Sequence, residues 1–172
     1  MNVKERKVKN TEVHTKICPI LSTNENVVRE MVNLINRAYT RHTWLFPVDR
    51  TNFEDFLKEQ KNFDSFVLLS QSEKIVGVAS VLIRDASELY FSNAAVDLEQ
   101  QGNGLGAKLL NAIEELARRE NISRITIVTV REIGNVDYYE RKGYKVLTEE
   151  TQLKGTWGSI ASFTLATMEK II

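Results

Sequence analysis

The residues best suited to chemistry lie in a glycine-rich stretch, Gln101, Gly102, Asn103, Gly104, Leu105 and Gly106, followed at once by an amphipathic run. No Ser, Thr or Asp stands immediately before Leu105 to cap the first turn of the predicted helix, so its opening N–H groups lack an obvious protein acceptor. Glycines keep side chains out of the space before these donors, and the positive end of the helix dipole adds to them. That combination suits phosphate, and the sequence predicts a phosphorylated ligand here.

Spacing decides which ligand. A Walker loop fails, because Ala107 precedes Lys108 and Leu109 follows it where Gly and Ser or Thr are required. A dinucleotide fingerprint can be laid on Gly102, Gly104 and Ala107. Its strand should run almost directly into the first glycine, yet here the strand pattern stops near Val96 and Asp97 to Gln101 intervene. The third pattern, [QR]-x-x-G-x-[GA], is met by Gln101, Gly104 and Gly106 after a strand ending in Ala94, Ala95 and Val96. In these residues the chain resembles the GNAT superfamily of acyl-CoA-dependent N-acyltransferases. A second matching element follows in Tyr138, Tyr139, Glu140, Gly143 and Tyr144, and the resemblance covers about Ile17 to Lys170.

The resemblance implies a fold and a set of roles. The fold is mixed α/β, a twisted sheet of about seven strands flanked by four helices. The amides of Gln101, Gly102, Asn103, Gly104, Leu105 and Gly106 would hold the pyrophosphate of coenzyme A, and the backbone of Ala94, Ala95 and Val96 the pantetheine arm. A bulge near the two alanines would turn an N–H toward the thioester carbonyl. Tyr139 matches the general acid that protonates the departing thiolate, while Tyr138 reads as packing. Where many relatives place a pantetheine-binding asparagine this chain has Glu132; Asn135 either substitutes for it or caps the following helix. Lys108, Arg141 and Lys142 are further cations for the coenzyme or solvated surface.

The base is less plainly written. Glu88, Tyr90 and Ser92 share one strand face, and Glu88 is the candidate, acting through water, or else a solvated carboxylate at the strand end. His14 and His42 are the only imidazoles, which leaves no material for a zinc cluster or a Ser-His triad, and no metal is expected. An acceptor amine would sit between the Arg41 to Arg50 loop and the Trp157 loop, with Trp44, Phe46, Asp49 and Trp157 as its lining.

These residues need a scaffold. The chain has 172 residues, enough for one full core, read as residues 15–172 behind a basic tail at 1–14 with Lys4, Arg6, Lys7 and Lys9. Lys plus Arg and Asp plus Glu number 23 each, so no net field draws the protein to nucleic acid or an anionic membrane. A lone Cys18 and the lack of a long apolar run predict a cytoplasmic protein without disulfide or membrane span.

In chain order the pattern predicts an edge strand at 15–21 and a helix at 24–39 with a Ser22/Glu25 capping box. A short helix to about Lys61 follows, with a second box at Thr51/Glu54. Strands at 66–70, 75–84 and 88–96 form an antiparallel meander. The glycine-led helix places Leu105, Leu109, Leu110, Ile113, Leu116 and Ala117 on one face, with Lys108, Glu114, Glu115, Arg118 and Arg119 opposite. A parallel strand at 125–130, a helix at 136–142 ended by Gly143, and strands at 144–148 and 159–168 complete it.

The implied activity is direct transfer of an acetyl group from acetyl-CoA to a primary amine of a small molecule within a ternary complex. Acetylation of a protein N-terminus or lysine is the enzymatic alternative, and a non-catalytic acyl-CoA-binding module the other. Monomer and homodimer are both compatible with it.

Overall fold

The computed structural model describes residues 12–172. The four basic residues named in the tail lie outside the described residues. Among those described, seven strands build one mixed sheet: β1 (His14–Pro19), β2 (Ser65–Gln71), β3 (Lys74–Ile83), β4 (Glu88–Val96), β5 (Arg124–Val130), β6 (Lys145–Gln152) and β7 (Phe163–Ile171), in the order β1-β2-β3-β4-β5-β7-β6. Four α-helices accompany it: α1 (Glu25–Tyr39), α2 (Phe53–Gln60), α3 (Leu105–Arg119) and α4 (Asn135–Arg141). The number and type of elements agree with the sequence expectation, as do the meander and the parallel β4–β5 pair.

The helices divide between the two faces of the sheet because its strands are apolar on both. Val67, Leu69, Val81, Leu89 and Phe91 pack with Leu109, Leu110, Ile113 and Leu116 of α3 and with Tyr139 of α4. Phe66, Leu68, Ile75, Val78 and Ala95 pack on the other side with Met31, Leu34 and Ile35 of α1 and Phe56 of α2. Burial of these side chains stabilises the layers by roughly 1.5–3 kcal/mol for each large residue.

Two irregularities in β4 shape everything that follows. Ser80 faces Ser92 and Val78 faces Ala95, so β4 uses one more residue than β3 over the same span. The extra residue is absorbed at Asn93, which has φ +52°, a left-handed conformation that Asn tolerates better than most. This bulge reverses the alternation of the strand. Leu89 and Phe91 belong to the α3 side before it, whereas after it Ala95 belongs to the α1 side and Ala94 and Val96 pack toward α3. The second irregularity is the pairing with β5, which lasts only from Glu88↔Arg124 to Tyr90↔Thr126. Beyond Tyr90 no β4–β5 pairing continues, and the edge of β4 there is open to another extended chain.

Glu88 holds the short parallel pairing together. It accepts hydrogen bonds from Arg124 Nη2 at 2.8 Å, Thr126 Oγ1 at 2.7 Å and Arg84 Nη1 at 2.7 Å, tying β4 to β5 and to the end of β3. Burial alone would raise its pKa, but the bond from Thr126 and the bond and charge of Arg84 outweigh that and hold it below the ordinary carboxylate range.

Several local expectations shift. The cap of α1 is Asn24, whose side chain accepts from Val27 N, and that of α2 is Asn52, accepting from Asp55 N; neither Ser22 nor Thr51 forms its box. Asparagine is as good a cap as serine, and in both places it stands nearer the first helical residue. Glu114 is buried rather than solvated, because Lys170 Nζ on β7 donates to it at 2.6 Å and Arg118 pairs with its other oxygen. The last strand starts at Phe163, since Gly155 N donates to both the backbone oxygen and Oγ of Ser159 and closes a loop there. Gly143 ends α4 as expected, at φ +89° with Tyr144 N donating to Tyr139 O.

Glu88→Gln should lower stability by about 1–3 kcal/mol, the usual cost of mismatching charged hydrogen-bonded partners. The change reads out as a lower urea midpoint at constant slope. An unmoved midpoint would show that these bonds carry no net stability.

Candidate active site

The glycine stretch opens α3 without closing off its donors. Gln101 N donates to Leu98 O and Asn103 N to Gln100 O, each at 3.3 Å, and the first helical bond is Lys108 N to Gly104 O at 3.0 Å. The N–H groups of Gly102, Gly104, Leu105, Gly106 and Ala107 find no acceptor among the described residues. Gly104 is the N-cap at φ +80°, ψ 5°, and Gly102 has φ +84°; a Cβ on either would meet nothing within 4 Å. These two positions need glycine for their backbone, and the space before them is open. Gly106 differs. A Cβ there would lie 2.8 Å from the hydroxyl of Tyr138, so the third glycine lets α4 pack closely on the start of α3.

In front of the donors lies a cavity of about 540 Å³. β4 contributes Ala94, Ala95 and Val96 to its wall, the loop contributes Gln101, Gly102, Gly104, Leu105 and Gly106, and α4 contributes Asn135 and Tyr139. Of the residues expected at the site, Asn103 and Glu88 are not in this wall. Two cations are: Lys142, one of the three the sequence offered, which also lies near the Tyr138 ring, and Arg41, which the sequence did not offer for the coenzyme and whose guanidinium donates to Gln101 Oε1. Lys108 turns away and donates to Val13 O, and Arg141 is exposed.

A second cavity of about 490 Å³ adjoins the first, and Tyr39, His42, Ala94, Ile133, Asn135 and Tyr139 line both. Tyr139 is 6% exposed, with its ring against Phe91, Tyr138 and Tyr144. Its hydroxyl makes no hydrogen bond within the described residues. Burial, reinforced by neighbouring tyrosines, pushes the phenol well above its ordinary pKa and keeps it protonated. His42 packs edge-on against Tyr39, with ring centroids 5.9 Å apart. Burial and then the charge of Arg41 lower its pKa, so the imidazole is neutral at pH 7.

Asn135 is the first residue of α4, whose N-cap is Gly134 at φ +80°. Its side chain makes no capping bond and instead faces the shared wall. Glu132 is engaged elsewhere, accepting from Thr164 N on β7. The second cavity brings together Phe46, Asp49 and Trp157 as the sequence suggested, but Trp44 is 56% exposed and outside it. The loop holding Phe46 and the loop holding Trp157 are joined by Ile160 N donating to Leu45 O at 3.0 Å. Arg50, Glu59 and Asn93 also line this cavity. Their sequence positions gave no warning, since α2 reads only as an amphipathic helix and Asn93 only as a strand residue.

Among the described residues no group of three or more His, Cys, Asp or Glu is placed to hold a metal ion, and no helix is long and apolar enough to cross a membrane.

Gly104→Ala should cost about 1–2 kcal/mol of stability, the penalty of a left-handed conformation with a Cβ, because nothing else crowds the position. Equilibrium denaturation checks this. A neutral or stabilising substitution would mean that the loop does not need its left-handed turn.

Residues 36–159 match the family model of the acetyltransferase (GNAT) domain. The uncharacterized protein YxbD of Bacillus subtilis is 27% identical over 85 residues, 48% of this chain and 51% of that protein, so the chain spans about half the length of this curated relative. The ribosomal-protein-S18-alanine N-acetyltransferase of Escherichia coli superposes with a TM-score of 0.72 at 17% identity, over 92% of this chain and 94% of that one. A GNAT family acetyltransferase of Elizabethkingia anophelis, solved with acetyl-CoA bound, gives 0.64 at 12% identity over 93% and 98%. At these identities the structures carry the fold alone.

Proposed function

The chain belongs to the GNAT acetyltransferase family, and on that premise we propose that it transfers an acetyl group from acetyl-CoA to a primary amine of a small molecule, within one ternary complex. The observation that carries this is the meeting of two cavities at Ala94, His42 and Tyr139, with five residues whose N–H groups are unpartnered among the described residues lining one of them and not the other. The residues fit the coenzyme. Open donors at a helix mouth, with Arg41 and Lys142 beside them, suit a diphosphate. The unpaired half of β4 beyond the bulge suits an extended amide-bearing arm.

Acetyl-CoA supplies an activated acetyl group: the amine nitrogen bonds to its carbonyl carbon while the carbon–sulfur bond breaks. An ammonium becoming an amide loses two protons, of which one reaches sulfur and one leaves to solvent. His42, neutral and on the wall common to both cavities, takes the proton from nitrogen directly or through one water. Tyr139 donates to sulfur. Its raised pKa does not forbid this, since the burial that disfavours phenolate disfavours thiolate too. Glu88 serves the β4–β5 joint in this account; it lines neither cavity, and its depressed pKa makes it a weaker base. The bridge ties together the loops that carry Phe46 and Trp157, and a wall fixed in this way favours a small molecule over a through-running polypeptide.

Acetyl-CoA at 100 times its dissociation constant should add about 2.7 kcal/mol of stability, a rise of several degrees in melting temperature for a domain this size. NADH and ATP, which carry linked phosphates but no pantetheine arm, should give a much smaller shift. A protein shifted by ATP but not by acetyl-CoA would refute the proposal. Tyr139→Phe should lower kcat at least tenfold with little change in the KM for acetyl-CoA; unchanged turnover would remove the phenol from the mechanism.

A pH profile tests the base. Because His42 titrates below its ordinary value, kcat/KM expressed per unprotonated acceptor amine should be flat at neutral pH and fall only as pH drops beneath about 6.5. His42→Gln should abolish that acidic limb and lower the plateau; an identical limb in the variant would assign it to another group.

A further inference from the structure

Two side chains of opposite charge line the second cavity without an ion-pair partner. Among the described residues Arg50 has no carboxylate, and Glu59 no cation, within ion-pairing distance. Each is held instead by the same amide. Arg50 Nη2 donates to Asn93 Oδ1 at 3.3 Å, and Asn93 Nδ2 donates to Glu59 Oε1 at 3.2 Å. Asn93 is 4% exposed, sits in the left-handed bulge of β4, and directly precedes Ala94, which both cavities share. A buried, backbone-fixed amide thus presents a cation at its oxygen and an anion at its nitrogen, one residue from the joint between the cavities.

Such a pair is complementary to a zwitterion. The two polar atoms of an amide are bonded to one carbon, as the amino nitrogen and carboxylate of an α-amino acid are, so cation and anion stand on either side of a compact group as a zwitterion requires. Guanidinium has donors to spare for a carboxylate, and Glu59 has a second oxygen for an ammonium. The other charges facing the cavity decide against simpler ligands. Asp49 adds a second carboxylate and His42 adds none of its own at neutral pH, so a bare anion would be repelled. A polyamine would meet the guanidinium of Arg50. A peptide N-terminus would offer an amide where Arg50 calls for a carboxylate. Phe46, Ile127, Val130, Trp157 and Leu165 give the rest of the wall a large apolar share, beside the hydroxyls of Ser92 and Thr129.

We propose that the acceptor is a free α-amino acid with an apolar side chain, its carboxylate bound by Arg50, its amino group by Glu59, and its side chain by the apolar wall. This rests on the acetyl-transfer reading above. The amide of Asn93 positions both charged groups, and the bulge that places it also places Ala94 against the acetyl donor.

The test is thiol release from acetyl-CoA with L-leucine, L-methionine and L-phenylalanine, their primary amides, a leucyl dipeptide and spermidine. Rates are compared at equal concentrations of unprotonated amine, since the amides are less basic. At least one free amino acid should exceed its own amide in kcat/KM by about 10- to 100-fold, the range of a charge-assisted contact. In Arg50→Gln that ratio should collapse toward one while acetyl-CoA still raises the melting temperature. Glu59→Gln should lower kcat/KM for acid and amide alike.

Amides, dipeptide or spermidine used as well as the free acids would overturn the inference and leave acetyl transfer standing. So would an acid-to-amide ratio unmoved by Arg50→Gln, or a coenzyme shift with no thiol release from any free amino acid. A missing coenzyme shift would overturn both readings.

Discussion

Main-chain N–H groups that point into a cavity must be bonded by something, and at the mouth of α3 the protein offers them nothing. Five donors from Gly102 to Ala107 lack an acceptor among the described residues, and the left-handed Gly104 that precedes the helix has no side chain to supply one. Water can satisfy them in the free protein, but only a ligand with several closely spaced acceptor oxygens can satisfy them together. The loop spends conformational freedom to keep this arrangement, holding two glycines at positive φ with open space ahead of each. The site is therefore made of backbone, and the diphosphate proposed for it would be gripped by geometry more than by charged side chains.

The same economy governs β4. One extra residue, absorbed at Asn93, reverses which face the strand presents, and the pairing to β5 stops three residues after it begins. Together these leave the second half of the strand with an edge that no neighbour covers and with small side chains at Ala94 and Ala95. The cost falls on the first half, where Glu88 gathers Arg84, Arg124 and Thr126 to keep the short parallel joint closed. A carboxylate that looks available in the sequence is consumed in holding the strands together at the point from which they diverge.

How much of this was legible depended on distance along the chain. The glycine spacing, the two tyrosines of α4 and the alternation of the strands are local patterns, and local patterns predicted the fold and the wall of the first cavity. Capping was misassigned because Asn24 and Asn52 compete with the Ser and Thr close before them on nearly equal terms. What could not be read were contacts between segments far apart. Arg41 reaches Gln101 across 60 positions, and Arg50 and Glu59 reach Asn93 across 43 and 34. Nothing periodic marks such residues, since each sits in a loop or on a helix end whose local role is already filled. His42 shows the same effect, a loop imidazole in the sequence and a neutral group on the common wall of two cavities in the fold.

The most direct measurement is an NMR titration of the amide resonances with coenzyme A, which reports on each donor separately. The account predicts that the N–H signals of Gly102, Gly104, Leu105, Gly106 and Ala107 move together and become protected from exchange as the coenzyme saturates. Binding of coenzyme A that left those five signals in place, while moving others elsewhere on the sheet, would contradict it.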